Sequence, residues 1–105
     1  MISRLSPYNI KDTLRRGELY RDIRDGAKAK ISGWMEYEIQ QDERLSPELI
    51  SYRVYGTDEL KWLIVVIAEL DDIREALPVG ETIRLPGVVW VRQRIRHHVK
   101  LEEAA

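Results

Sequence analysis

Apolar and polar positions alternate over Trp34–Gln40, "WMEYEIQ": Met35, Tyr37 and Ile39 fall on one side, Glu36 and Glu38 on the other. A period of two predicts a half-buried strand. The period then changes. In "LSPELISYRVYG", Ser46 stands as a helix N-cap and Pro47 at the first helical position. Leu45, Leu49, Ile50 and Val54 form a stripe at helical spacing, and Gly56 sits where a helix-ending glycine belongs. Next comes "TDELKWLIVVIAEL", with seven consecutive apolar residues, Trp62–Ala68. Its β-branched residues favour a strand. Thr57 as a cap, Asp58 and Glu59 in the first turn, and a length of about twelve residues predict a second helix instead.

Pro78-Val79-Gly80 then turns the chain, Thr82–Leu85 alternates as a short strand, and Pro86-Gly87 stops it. "VVWVRQRIRHHVK" alternates again, with Val89, Val91, Gln93 and Ile95 on one face and Val88, Trp90, Arg92, Arg94 and Arg96 on the other. This predicts a further strand with one apolar and one basic face. Upstream, Leu14, Leu19, Ile23 and Ile31 are spaced too loosely for a strong amphipathic helix. Gly17 and Gly26 each cost a helix about 1 kcal/mol relative to alanine, which leaves a short helix near Glu18–Asp25. The predicted organisation is a basic N-terminal arm, 1–33, a β-α-α-β core, 34–87, and a C-terminal strand and tail, 88–105. On that plan, removing 88–105 leaves the core folded.

The second helix is apolar all round and needs cover on every side. A two-stranded sheet and one short helix do not supply it, so either the arms wrap the helix or a neighbouring subunit does. Membrane insertion fails on length: the run is seven residues, and a spanning helix needs roughly 18 or more. The polar, mixed-charge opening "MISRLSPYNIKDTLRRGELYRD" is not a signal peptide. With 105 residues the chain is one domain, or a small core with arms, and with no cysteine it has neither disulfides nor thiolate metal sites, in keeping with a reducing compartment.

The net charge of −1 is unevenly spread: 8 Lys/Arg against 4 Asp/Glu over residues 1–35, 4 against 12 over 36–83, and 5 against none over 84–100. Basic flanks around an acidic middle either fold back onto it or reach acidic surfaces elsewhere. The residues expected to bind a partner are Arg15, Arg16 and Tyr20 of the arm, Trp62 of the apolar run, and Trp90, Arg92, Arg94 and Arg96 of the last segment. Arginines in a row suit carboxylates on another protein. A nucleic-acid platform is disfavoured, because interleaved aromatics for base stacking are missing and the chain is not basic overall. His97 and His98 point to opposite faces of a strand and do not share a metal there. Glu36 and Glu38 read as an exposed acidic face rather than a glycosidase pair. There is no Gly-x-Ser-x-Gly, His-Glu-x-x-His or phosphate loop. No enzyme activity, cofactor, metal or small-molecule ligand is expected.

Residues 37–86, "YEIQQDERLSPELISYRVYGTDELKWLIVVIAELDDIREALPVGETIRLP", resemble a LysM-like module of phage baseplate and tail proteins. The carrying pieces are "YRVYG" closing the first helix, "ELKWLIVVIAEL" as the second, and "LPVGETIRLP" closing on the second strand. With its basic arm and following strand, the chain resembles the LysM-like wedge or hub-linking proteins of contractile, T4-like tails. The resemblance implies an α+β fold, a LysM-like β-α-α-β core with an N-terminal arm and a C-terminal extension strand. It implies a structural adaptor in the virion tail baseplate, made in the host cytoplasm. The adaptor would join hub or tube to wedge or sheath subunits, in multiple copies under six-fold symmetry. Sugar-binding members carry a Gly-Asp-Thr-type loop and an Asn near the second helix's end. Here those positions hold "QQDERLS" and Glu69. Alternative readings are a peptidoglycan-binding LysM module and a small nucleic-acid-binding adaptor.

Overall fold

The computed structural model describes residues 2–72 and 74–104; Met1, Ile73 and Ala105 lie outside them. A short 3₁₀ turn, Pro7–Asn9, leads into α1, Thr13–Lys28. There follow β1, Met35–Glu38; α2, Pro47–Tyr55; α3, Lys61–Ile67; β2, Thr82–Leu85; and α4, Val88–Ala104. Among the described residues, four α-helices and one two-stranded antiparallel sheet make the fold α+β.

The two strands stand where the alternation puts them. Met35 pairs with Leu85, Glu36 with Arg84, Tyr37 with Ile83 and Glu38 with Thr82. Leu85 and, just beyond β1, Ile39 bury their side chains, while Glu36 and Glu38 face solvent. Glu36 and Arg84 form an ion pair across the strands at 3.3 Å. α2 also follows the sequence. Pro47 opens it, and Gly56 closes it in the left-handed conformation at φ 76°, its N–H donating to the Tyr52 carbonyl at 2.9 Å. Ser46 is the N-cap by position, without a side-chain cap bond.

α3 is a helix, but a shorter one than its sequence predicts. It begins at Lys61 because the preceding turn is held by a side chain. The buried Ser51 hydroxyl donates to the Thr57 carbonyl at 2.5 Å and accepts from the Leu60 N–H at 3.2 Å. Asp58 and Glu59 therefore lie in the turn and not in the helix. The chain covers one side of α3, while Trp62, Val65 and Val66 stay half-buried. Leu63, Ile64 and Ile67 are buried among Leu19 and Ile23 of α1, Ile50 of α2 and Leu85 of β2.

The two flanks differ from expectation. α1 runs 16 residues. The Asp12 carboxylate caps it by accepting the Leu14 N–H at 3.2 Å. Leu19 and Ile23, one turn apart, are fully buried, and Gly26 continues their row. A Cβ at Gly26 would lie 2.7 and 2.8 Å from two ring carbons of Trp34. The glycine thus lets the indole lie on the helix. A loosely spaced pattern was enough, since two large anchors and one gap fix the helix.

The expected C-terminal strand is absent: residues 88–104 are α4. Val91, Ile95 and His98 are buried, at i, i+4 and i+7, with Val88 and Val99 partly buried beside them. That is helical spacing. The same residues also satisfy an alternating pattern over a few positions, and valine and isoleucine bias such a reading towards strand. An exposed face on α1 for the helix to cover decides between them. Asp22 of α1 meets α4 twice, through His98 Nε2 at 2.7 Å and Arg94 Nη2 at 3.3 Å. The Glu102 carboxylate accepts the N–H groups of Lys11 and Asp12 at 3.1 and 2.7 Å.

Candidate functional site

A helix in place of a strand redistributes the arginines. On a strand, Arg92, Arg94 and Arg96 share a face. On α4, Arg92 and Arg96 are one turn apart and stay together, while Arg94 swings to the opposite side. Arg94 there pairs with Asp22 and lies 6.0 Å from the Trp90 ring centroid. Trp90 itself is half-buried, edge-on to Trp34 at 4.9 Å.

The arm residues divide likewise. Arg16 is spent within the chain: it donates to the Ile10 carbonyl at 2.8 Å, the Lys11 carbonyl at 3.3 Å and the Thr13 hydroxyl at 3.1 Å, and covers the Tyr8 ring at 4.9 Å. Arg15 is half-buried on the same helix. Tyr20 packs against Trp62 with ring centroids 6.1 Å apart, and burial raises its hydroxyl pKa. Trp62 donates its indole N–H to the Leu5 carbonyl at 2.9 Å. Trp62 and Tyr20 thus pin the N-terminal segment onto α3. The structure does not gather the eight expected residues at one place.

Arg92 and Arg96 lie in a groove of about 580 Å³ between α4 and the N-terminal segment. Arg4 and Asn9 form one wall; Val89, Arg92, Gln93, Arg96 and Val99 form the other, with Ile95 at the floor. Among the described residues, Arg4, Arg92 and Arg96 make no ion pair, whereas Arg53, Arg74, Arg84 and Arg94 each hold a carboxylate. Val89 is 62% exposed beside them. Arg4, Asn9, Val89, Gln93 and Val99 carry no sequence motif. The helical stripe Val88, Val91, Ile95 and Val99 was the signal that would have put Val89, Arg92 and Arg96 together on the outer side.

A second recess lies between Tyr20 and Arg24 of α1 and Val65, Val66 and Leu70 of the α3 region. Among the described residues no cluster of three His, Asp or Glu side chains is placed to hold a metal ion. No helix there is long and apolar enough to cross a membrane.

The groove's chemistry is charge-assisted hydrogen bonding by guanidinium groups beside apolar surface. No curated protein and no solved structure matches the chain. A family profile does match, over residues 5–81, from just after Arg4 through α1, β1, α2 and α3 to the turn before β2, with α4 beyond its end. On that match, which covers most of its length, the chain belongs to the base plate wedge protein 53 family of phages, structural proteins of the virion tail baseplate that associate with other baseplate proteins.

Proposed function

We propose that this chain is an adaptor in the baseplate of a contractile tail, linking the central hub or tube to the surrounding wedge or sheath subunits. Membership in the wedge family carries the reading. The order β1-α2-α3-β2, with the strands paired antiparallel, supports a LysM-like core as the rigid centre of the adaptor. Function is binding rather than catalysis. Copies follow the six-fold symmetry of the tail, and each presents exposed arginines to carboxylates of its neighbours.

α1 and the N-terminal segment cover part of α3, and Trp62, Val65 and Val66 remain half-buried. Affinity for neighbours comes from surface charge, exposed side chains such as Leu14 and Val89, and the half-buried part of α3. Deleting the gene and imaging the tails tests the adaptor role. Tails whose wedges assemble but fail to join the hub are the expected result. Normal, contractile tails without this chain would overturn it, as would its absence from purified wild-type baseplates.

A further inference from the structure

The groove on α4 has a composition that restricts what can fill it. Arg92 and Arg96 are like charges one helical turn apart, an arrangement that repels unless a counter-charge sits between or above them. Arg4 brings a third positive charge from the opposite wall. No carboxylate of this chain answers them among the described residues, although the neighbouring Arg94 has Asp22 at 3.3 Å. Val89 and Val99 lie alongside the arginines on the same wall. A phosphate backbone would use the charges and leave these valines uncovered. Among the described residues no aromatic side chain lines the groove, so nucleotide bases find nothing there to stack on. A volume of about 580 Å³ takes a few side chains of a peptide.

We propose that this groove seats an acidic, amphipathic segment of another baseplate protein. Its carboxylates pair with Arg92 and Arg96, and its apolar side chains cover Val89 and Val99. The inference rests on the baseplate reading and names the chemistry of one partner within it. The guanidinium fork matches a carboxylate with two parallel bonds, which fixes the register of the incoming segment. Asn9 does not compete for it: its side-chain amide is bonded to the Ser3 and Ser6 carbonyls at 2.7 and 2.9 Å.

The test uses assembled tails. A photo-crosslinking benzoylphenylalanine is placed at Gln93, in the groove, and in a separate chain at Tyr52, exposed on α2, as control. The expected product from Gln93 is a crosslink to a segment of a different baseplate protein that carries both carboxylates and apolar residues. A crosslink to DNA, to a second copy of this chain or to a segment without carboxylates overturns the proposal. So does the absence of any Gln93 product above the Tyr52 control. In parallel, the double variant Arg92→Glu/Arg96→Glu is expected to enter tails about tenfold less than wild type, while the free chain keeps its helical circular dichroism. Unchanged incorporation overturns the proposal. The two readings separate cleanly: wild-type chain in baseplates with an empty groove sinks only this inference, whereas wild-type chain missing from baseplates sinks the baseplate reading.

Discussion

Glu43 is fully buried, and its carboxylate accepts three hydrogen bonds. Oε1 accepts the Gln40 N–H at 2.7 Å, and Oε2 accepts Arg53 Nη1 at 2.8 Å and the Tyr37 hydroxyl. One side chain thus ties the end of β1, the turn after it and α2. Replacing Glu43 by alanine removes three hydrogen bonds to a buried carboxylate and leaves a void in its place, so Glu43→Ala should lower unfolding free energy by about 2–3 kcal/mol in urea titrations. Arg53 keeps Asp42 at 2.6 Å, which limits the loss. The same cluster sets a pH dependence. Burial, and then the hydrogen bond to Glu43, push the Tyr37 hydroxyl up to about 12. A raised folded-state pKa favours the protonated phenol in the native state. That contribution is complete below the unfolded value of 10.0 and is lost as pH rises from there towards about 12. Melting temperatures across that window should fall less steeply for Tyr37→Phe than for wild type. An unchanged slope would show that Tyr37 ionises as freely in the folded chain as in the unfolded one.

Among the elements, the two glycines of α1 give a matched pair. A Cβ at Gly17 meets nothing within 4 Å, whereas at Gly26 it meets the Trp34 ring at 2.7 Å. Gly17→Ala should stabilise the chain by about 0.5–1 kcal/mol through helix propensity alone. Gly26→Ala forces the indole off the helix, and with it the edge-on Trp90. The strain of about 1–3 kcal/mol should outweigh the propensity gain. Opposite shifts in thermal midpoint check both. β1, α2 and β2 were legible in the sequence because period, cap and terminating glycine or proline all agreed there. α1 was only half legible: propensity counts Gly26 as a weakness, and its role as a seat for Trp34 depends on a residue eight positions on. α4 was misread because a short run of valines, isoleucine and arginines fits periods of two and of 3.6 over a few residues. The start of α3 was misplaced by the Ser51 hydroxyl, whose bonds to Thr57 and Leu60 no local pattern announces. The candidate site changed with α4: helical geometry keeps Arg92 with Arg96 and gives Arg94 to Asp22.

For the whole molecule, the question is whether the flanks are appendages or part of the core. Basic flanks around an acidic middle could fold back or reach outward, and the structure does some of each. Lys28 meets Glu69 at 3.1 Å and Arg84 meets Glu36 at 3.3 Å, while Arg4, Arg92 and Arg96 keep their charges outward. α4 is joined to α1 by more than charge. Val91 and Ile95 are buried at 0% and 3% exposure, and full burial of each such side chain is worth about 1.5–3 kcal/mol. His98, at 4% exposure, and Glu102 add bonds to Asp22 and to the start of α1. Against a total stability of about 5–15 kcal/mol for a small domain, losing this contact is severe. Removal of residues 88–105 should therefore abolish or greatly weaken cooperative unfolding, contrary to a core that stands alone. A sharp denaturant transition with an undiminished midpoint in the truncated chain would show α4 to be an appendage after all. The consequence bears on assembly. A truncation that fails to enter tails is explained by unfolding and says nothing about docking. Only changes at exposed arginines, which leave the buried face of α4 intact, separate the two roles of that helix.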